Sequence, residues 1–358
     1  MEFYLLRTLP KSKLSERSAA AVLKTFKTTG VSRDKWTRVG ERCGSEPIFC
    51  MSAAGKQDYV IGGTKGVFLF DNNTKEITDI EWTKKFWVNN VMVHKDLLFV
   101  FYRDEPMEVY QRSQTKGFTS VWTGPVIKTS FGGSSSWSMF GGYVEKTNKA
   151  LYMLDNSPQQ VVEINLAGLC EAVMKGNTEK LKHKYYGERI SAFAVSQRRN
   201  NTLMYVDKES KLFVGCQEIR KIENESGSTN CIAAVDDAFV IGSYNGTLNI
   251  FELVSKTGKS LDTHKMTVIG GSNDIKDLKQ INLPGVSLVV GLRIYHSIDL
   301  FLVHGSKLHL LMNDCKTRDD STSSIVNHSQ TIEVTGKSTF GVIVTQSEAV
   351  IATISFKV

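Results

Sequence analysis

The sequence predicts an all-β chain built from a repeated unit, on three observations. The stretch "AFVIGSYNGTLNIFEL" at 238–253 reads as two apolar strands around a polar turn, and it has a close echo in "YVIGGTKGVFLFD" at 59–71. Looser copies of the same strand–turn–strand unit recur along the chain at a period of roughly 40 residues. Helical periodicity is rare between them, and regularly spaced short strands with few helices mean an all-β fold.

Each part of the unit has a physical reason. "FVIG" is β-branched and apolar, as strands buried on both faces tend to be. "SYNG" is turn chemistry, with Asn245 and Gly246 able to take the positive φ of a tight hairpin. "TLNIFEL" is the second strand; the echo has the same parts in "DYVIGG", "TKG" and "VFLFD". Further copies begin at Val88, Lys149, Arg189, Val286 and Ser338, each with two or three short apolar strands broken by Asn, Asp, Gly or Lys turns. With the two clear copies this makes seven. Among sandwich, barrel and propeller, that period with three or four strands per repeat favours a seven-bladed β-propeller.

"GSYNGTLNIFEL" resembles the third-strand region of a WD-repeat blade, with Phe251-Glu252 standing where the Trp-Asp pair would be, and Phe70-Asp71 stands similarly in the echo. The chain has no Trp-Asp dipeptide. The resemblance implies a propeller that works as a rigid binding platform.

Two stretches exceed the period. In 166–188, Leu166, Leu169, Cys170, Val173 and Met174 fall at helical spacing, which predicts a helix inserted after the third blade. The stretch 256–284, with Gly270, Gly271, Asp274 and Pro284, reads as a long loop or a strand with a long loop. The domain reading is therefore a closing strand within 1–10, a basic segment with an amphipathic helix over 11–42, and a propeller over 43–358 with these two insertions.

A composition of 41% hydrophobic and 23% charged residues is that of an ordinary globular chain able to bury its own core. No apolar run approaches the length of a spanning helix, and "MEFYLLRTLPKSK" places its apolar residues before its charges, the reverse of a secretory signal. The expectation is a cytoplasmic or nuclear protein. Cys43, Cys50, Cys170, Cys216, Cys231 and Cys315 show no CxxC spacing, which predicts reduced, mostly buried thiols. Residues 1–42 hold ten Lys/Arg against four acids, and so carry +6 of the net charge of +7. Such concentration attracts acidic partners. Within 15–29, Ala19, Val22, Leu23 and Phe26 form one helical stripe with Arg17, Lys24 and Lys27 away from it, which suits a docking, rim-packing or organelle-targeting helix.

Chemistry is sparse. "KTGKS" at 256–260 and "TGKST" at 335–339 end like phosphate loops, but Leu253 and Thr331 occupy the positions where such a loop needs its first glycine. "FGGSSSWSMFGG" is not the nucleophile elbow. His296, His304 and His309 share one predicted hairpin with only Asp299 nearby, a poor tetrahedral set. No catalytic, cofactor or metal residue is assigned. Trp36, Trp82, Trp87, Trp122 and Trp137 all lie in the first 137 residues, and either pack between blades or form hot spots and stacking platforms. The leading expectation is a non-catalytic protein-interaction scaffold within a larger assembly. Its expected contact residues are Arg17, Lys24, Lys27, Arg33, Lys35, Trp36, Arg38 and Trp87. The alternative is a nucleic-acid-binding subunit using the same basic segment and aromatics, recognised by a steep loss of affinity with salt.

The final repeat lacks one strand, whereas residues 2–8 are apolar, strand-like and without a blade. Pairing of the two would cover sheet edges that an unclosed ring exposes. Deleting residues 1–10 then lowers the melting temperature, and an unchanged melt excludes closure by these residues.

Overall fold

The computed structural model describes residues 31–33, 37–38 and 48–357, apart from turns of one to four residues and the longer segments 81–86, 125–143, 223–228, 266–274 and 317–328. Two short strands come first, β1 (Val31–Arg33) and β2 (Thr37–Arg38). The chain divides into two compact units, one of Thr37–Ser191 with Thr345–Val350, the other of Met1–Trp36, Ala192–Val344 and Ile351–Val358.

The first unit holds three antiparallel four-stranded sheets. They are β3 (Ile48–Ala53), β4 (Asp58–Gly63), β5 (Gly66–Asp71) and β6 (Ile77–Asp79); β7 (Val88–His94), β8 (Leu97–Tyr102), β9 (Met107–Ser113) and β10 (Gly117–Gly124); and β11 (Val144–Lys146), β12 (Ala150–Leu154), β13 (Val161–Asn165) and β14 (His183–Tyr186). A helix, α1 (Leu166–Met174), joins β13 to β14. Strands neighbour one another in sequence order within every sheet. First strands lie against first strands, β3 on β7 and β7 on β11.

The second unit repeats the plan. Its sheets are β15 (Ile190–Ser196), β16 (Thr202–Asp207), β17 (Lys211–Val214) and β18 (Gln217–Lys221); β19 (Thr229–Val235), β20 (Ala238–Ser243), β21 (Thr247–Val254) and β22 (Thr257–Lys265); and β23 (Ile275–Leu283), β24 (Val286–Arg293), β25 (Ser297–His304) and β26 (Lys307–Lys316). The last sheet joins β27 (Ser329–Gly336), β28 (Thr339–Gln346) and β29 (Val350–Lys357) to β1. Here β19 lies against β23 and β23 against β27.

The two stretches that first revealed the repeat are β4–β5 and β20–β21, the same two strands of their sheets. All six residues of β20 are buried. Alternation explains how: Phe239 and Ile241 pack with Met204, Val206 and Leu212 of one neighbouring sheet, while Ala238 and Val240 pack with Ile275, Leu278 and Phe301 of the other. β8 divides in the same way, with Leu98 and Val100 meeting Val60 and Val67, and Leu97 and Phe99 meeting Leu151, Met153 and α1. Gly246 takes φ +79° and donates its N–H to the Ser243 carbonyl at 3.1 Å, the left-handed turn geometry expected of this hairpin.

Three expectations change, and a fourth falls outside the described residues. The stretch 256–284 supplies strands on either side of residues 266–274: β22 ends one sheet and β23 begins the next. Thr257–Lys265 reads as polar because a strand's ladder is made by backbone groups, and the apolar β21 provides that partner from Thr247 to Val254. The helix lies inside the third sheet rather than after it, and within 166–188 the segment His183–Tyr186 is the fourth strand. Residues 2–8 lie outside the described residues. The N-terminal strand on the last sheet is β1, with Val31 opposite Phe356 and Arg33 opposite Ile354. Of the four described thiols, Cys50 and Cys231 are buried, Cys170 is half-buried and Cys216 is exposed.

At two glycines one sheet closely approaches the next. Gly62 of β4 sits opposite Cys50 of β3, and a Cβ built on it would lie 2.6 Å from Val88 Cγ1 of the next sheet and 2.7 Å from Cys50 Sγ. Gly242 of β20 sits opposite Cys231 of β19, and its Cβ would lie 2.9 Å from both Cys231 Sγ and Ile275 Cγ2 of the following sheet. Both cysteines follow a register shift in the first strand, at Ile48/Cys50 and Thr229/Cys231.

One buried acid is held within the second sheet of the first unit. Glu108 of β9 is 4% exposed, and its Oε2 accepts hydrogen bonds from the hydroxyls of Tyr102, at 2.7 Å, and Tyr110. A buried carboxylate needs such donors. Burial, and then the Glu108 side chain, push both phenols above their ordinary range. At the surface Arg112 ties β9 to the first sheet, donating to the Ala54 carbonyl and pairing with Asp58 Oδ2, each at 3.1 Å.

Gly62→Ala is expected to cost about 1–3 kcal/mol by overpacking, read as a melting temperature lower by several degrees. Combined with Val88→Ala it costs less than the sum of the two changes, because the second relieves the clash made by the first. The tyrosines set an alkaline limit. The folded state keeps protons that the unfolded chain releases near pH 10, so this stability is complete below that pH and is lost as pH rises above it. Melts from neutral to alkaline pH show the decline. Tyr102→Phe/Tyr110→Phe flattens it while lowering neutral stability by about 1–3 kcal/mol, since Glu108 loses its donors.

Candidate functional site

The surface with the most exposed binding chemistry among the described residues is built by α1 and β14. Asn165 caps the helix, its Oδ1 accepting from the Gly168 N–H at 2.7 Å. Leu166, Leu169 and Val173 bury one stripe against Val162, Ile164 and Met153, with Trp122, Cys170 and Leu181 half-buried on the same core. Gly176, at φ +67°, ends the helix: its N–H reaches the Val173 carbonyl at 3.0 Å and that of Asn177 reaches Ala172 at 2.9 Å. This pair of bonds is a Schellman stop. It turns the chain back so that Leu181 rejoins the helix core and β14 can pair with β13.

In β14, His183 lies opposite Ile164, Lys184 opposite Glu163, Tyr185 opposite Val162 and Tyr186 opposite Val161. The His183 ring meets Tyr185 edge-on at 5.1 Å, and its Nδ1 sits 3.1 Å from the Leu181 carbonyl. The Tyr186 hydroxyl donates to Glu163. Tyr185 is 40% exposed and Met174, at the end of α1, 51%. Around them Lys182, Lys184 and Arg189 are exposed. Glu171 pairs with Lys175 one turn along the helix, and this hydrogen bond and charge hold its carboxyl below the ordinary range. Burial raises the Cys170 thiol, against the opposing charge of Lys95.

The residues expected from the sequence lie elsewhere. Trp87 stands immediately before β7 and is 37% exposed. Arg33 lies in β1 beside Ile354, and Arg38 in β2. Arg17, Lys24, Lys27, Lys35 and Trp36 lie outside the described residues, as do Trp82 and Trp137. Trp122 packs on the α1 core. The α1–β14 surface is not predicted from the sequence, because the helical spacing over 166–188 makes "KLKHKYY" read as the tail of a helix. Its period of two, with Lys180, Lys182 and Lys184 alternating with Leu181, His183 and Tyr185, was the available signal. No group of His, Cys, Asp or Glu able to hold a metal is found among the described residues, and no described helix is long and apolar enough to cross a membrane.

No protein-family model matches the sequence. No curated protein matches it either. Solved structures do. The WD40 β-propeller domain of Doa1 aligns with a TM-score of 0.59 at 12% identity, over 92% of this chain and 98% of that one. The N-terminal domain of Nup159 aligns at 0.56 and 11% identity, over 86% and 89%. A chain from the structure of S. cerevisiae Dbp5 bound to Nup159, Gle1, IP6 and ADP aligns at 0.58 and 10% identity, over 91% and 93%. At such identity the likeness is one of fold, and the fold of this chain is a WD-repeat-like β-propeller.

Proposed function

We propose that the chain is a non-catalytic protein-interaction scaffold, one subunit of a larger assembly. The observation that carries this reading is the pairing of largely apolar inter-sheet cores with a solvent-facing helix and strand that present Met174, Tyr185 and lysines. Rigid sheets hold such side chains without the entropy cost of ordering a loop on binding. Two of the aligned structures support it at the level of fold: one is named for Nup159, and the other holds Dbp5 together with Nup159 and Gle1. In this reading the seven sheets are seven blades, the termini share the last of them through β1, and Arg17, Lys24, Lys27, Arg33, Lys35, Trp36, Arg38 and Trp87 add a second, basic contact.

Gel filtration of the tagged chain from native extracts, with mass spectrometry of the peak, tests the assembly. A stoichiometric set of companion proteins is expected, and elution as a lone monomer refutes the scaffold. Truncation separates the routes of closure. Removing residues 1–36 takes away β1 and lowers the melting temperature by roughly 3 °C or more, at the 2–4 °C per kcal/mol expected for a chain of this size. Removing residues 1–30 leaves it unchanged. An equal drop in both assigns closure to the earlier residues.

A further inference from the structure

β14 is unlike the outer strands β6 and β10 of the same unit. β6 buries Ile77 and β10 buries Phe118. In β14, His183, Lys184 and Tyr185 are exposed in succession, so side chains on both faces of the strand meet solvent. The His183 and Tyr185 face continues the α1 core outward, since the residues opposite them, Ile164 and Val162, are buried beneath the helix. Tyr185 gives this margin exposed apolar area. Lys182 and Lys184 give it charge, with Glu163 opposite Lys184 in the ladder and accepting from Tyr186, and with Glu171 paired to Lys175. Arg189 and Glu188, both exposed, offset each other beyond the strand.

We propose that β14 is a docking strip for an extended acidic segment of another protein. This rests on the scaffold reading and names the chemistry of one partner. The segment lies along the strand that ends the sheet. Its carboxylates meet Lys182 and Lys184 on one face, and the apolar residues that alternate with them rest on Tyr185 on the other, the period that an extended chain imposes. The lysines also discourage pairing with basic or neutral strands, so one pair of side chains supplies both attraction and selection.

The test is fluorescence anisotropy of the full chain with three labelled probes: a peptide alternating Glu with Leu, one alternating Lys with Leu, and a single-stranded oligonucleotide. The acidic peptide is expected to bind and the basic one not to. Lys182→Glu/Lys184→Glu weakens the acidic peptide roughly tenfold, and Tyr185→Ala about fivefold. Lys208→Glu/Lys221→Glu, on the other unit, leaves it unchanged. All substituted side chains are exposed, so melting temperatures stay at the parent value and a lost signal is not lost folding. An acidic peptide that fails to bind overturns the strip, as does an equal loss in the Lys208/Lys221 variant, which would reduce the effect to net charge. Tighter binding of the oligonucleotide, lost in the Lys182/Lys184 variant, assigns the strip to nucleic acid and overturns it as a peptide site. In cells, a photo-crosslinker replacing Tyr185 should trap a companion protein at an acidic segment. A chain that stays assembled while this crosslink is absent refutes the strip and leaves the scaffold standing, whereas a monomeric chain refutes the scaffold itself.

Discussion

The approach of one sheet to the next at a glycine of the second strand sets the spacing on which the rest of each unit depends. At Gly62 and at Gly242 the missing Cβ leaves a notch, and a β-branched residue from the first strand of the following sheet, Val88 or Ile275, fills it. The opposite wall is a cysteine at a register shift, whose sulfur is soft enough to sit within van der Waals reach of both backbones. The Cys50 thiol donates to the Gly62 carbonyl, and that of Cys231 to the Ile275 carbonyl, each at 3.7 Å. Among the described residues one device thus appears in each unit, at the same place in the sheet. It explains why the two stretches that echo each other carry Ile-Gly at the same point.

From that contact the burial of each sheet follows. A second strand held between two neighbours has both faces covered, so β20 and β12 are buried along their length and read as unbroken apolar runs. Two of the polar groups in these cores are met by donors. Glu108 persists because two tyrosine hydroxyls reach it. Thr147 likewise accepts from the backbone N–H of Ala150 at 3.0 Å and of Lys149 at 3.2 Å.

Coverage falls toward the fourth strand, and there the molecule has freedom to present chemistry. In the third sheet the helix α1 caps the core where a plain turn would otherwise stand, and so pushes β14 to a margin at which His183 and Tyr185 line its rim rather than filling it. The exposed end of α1 and the strand it leads to are therefore one feature, made by the Schellman stop at Gly176.

Local sequence determined the elements whose stability is local. The β-branched runs of β4 and β20, the Gly246 turn, the helical stripe of Leu166, Leu169 and Val173, and the repetition that marks an all-β chain were all legible, because each depends on residues close in sequence. Of the candidate site, only the helix could be read. β14 and β22 are strands by virtue of the backbone ladders offered by β13 and β21, whatever their own polar side chains prefer. The pairing of β1 with β29, the notch at Gly62 filled by Val88, and the placing of Tyr185 at the margin of the α1 core were decided by tertiary structure alone. Each joins residues far apart in the chain, and a contact of that kind leaves no period in the sequence from which it could be read.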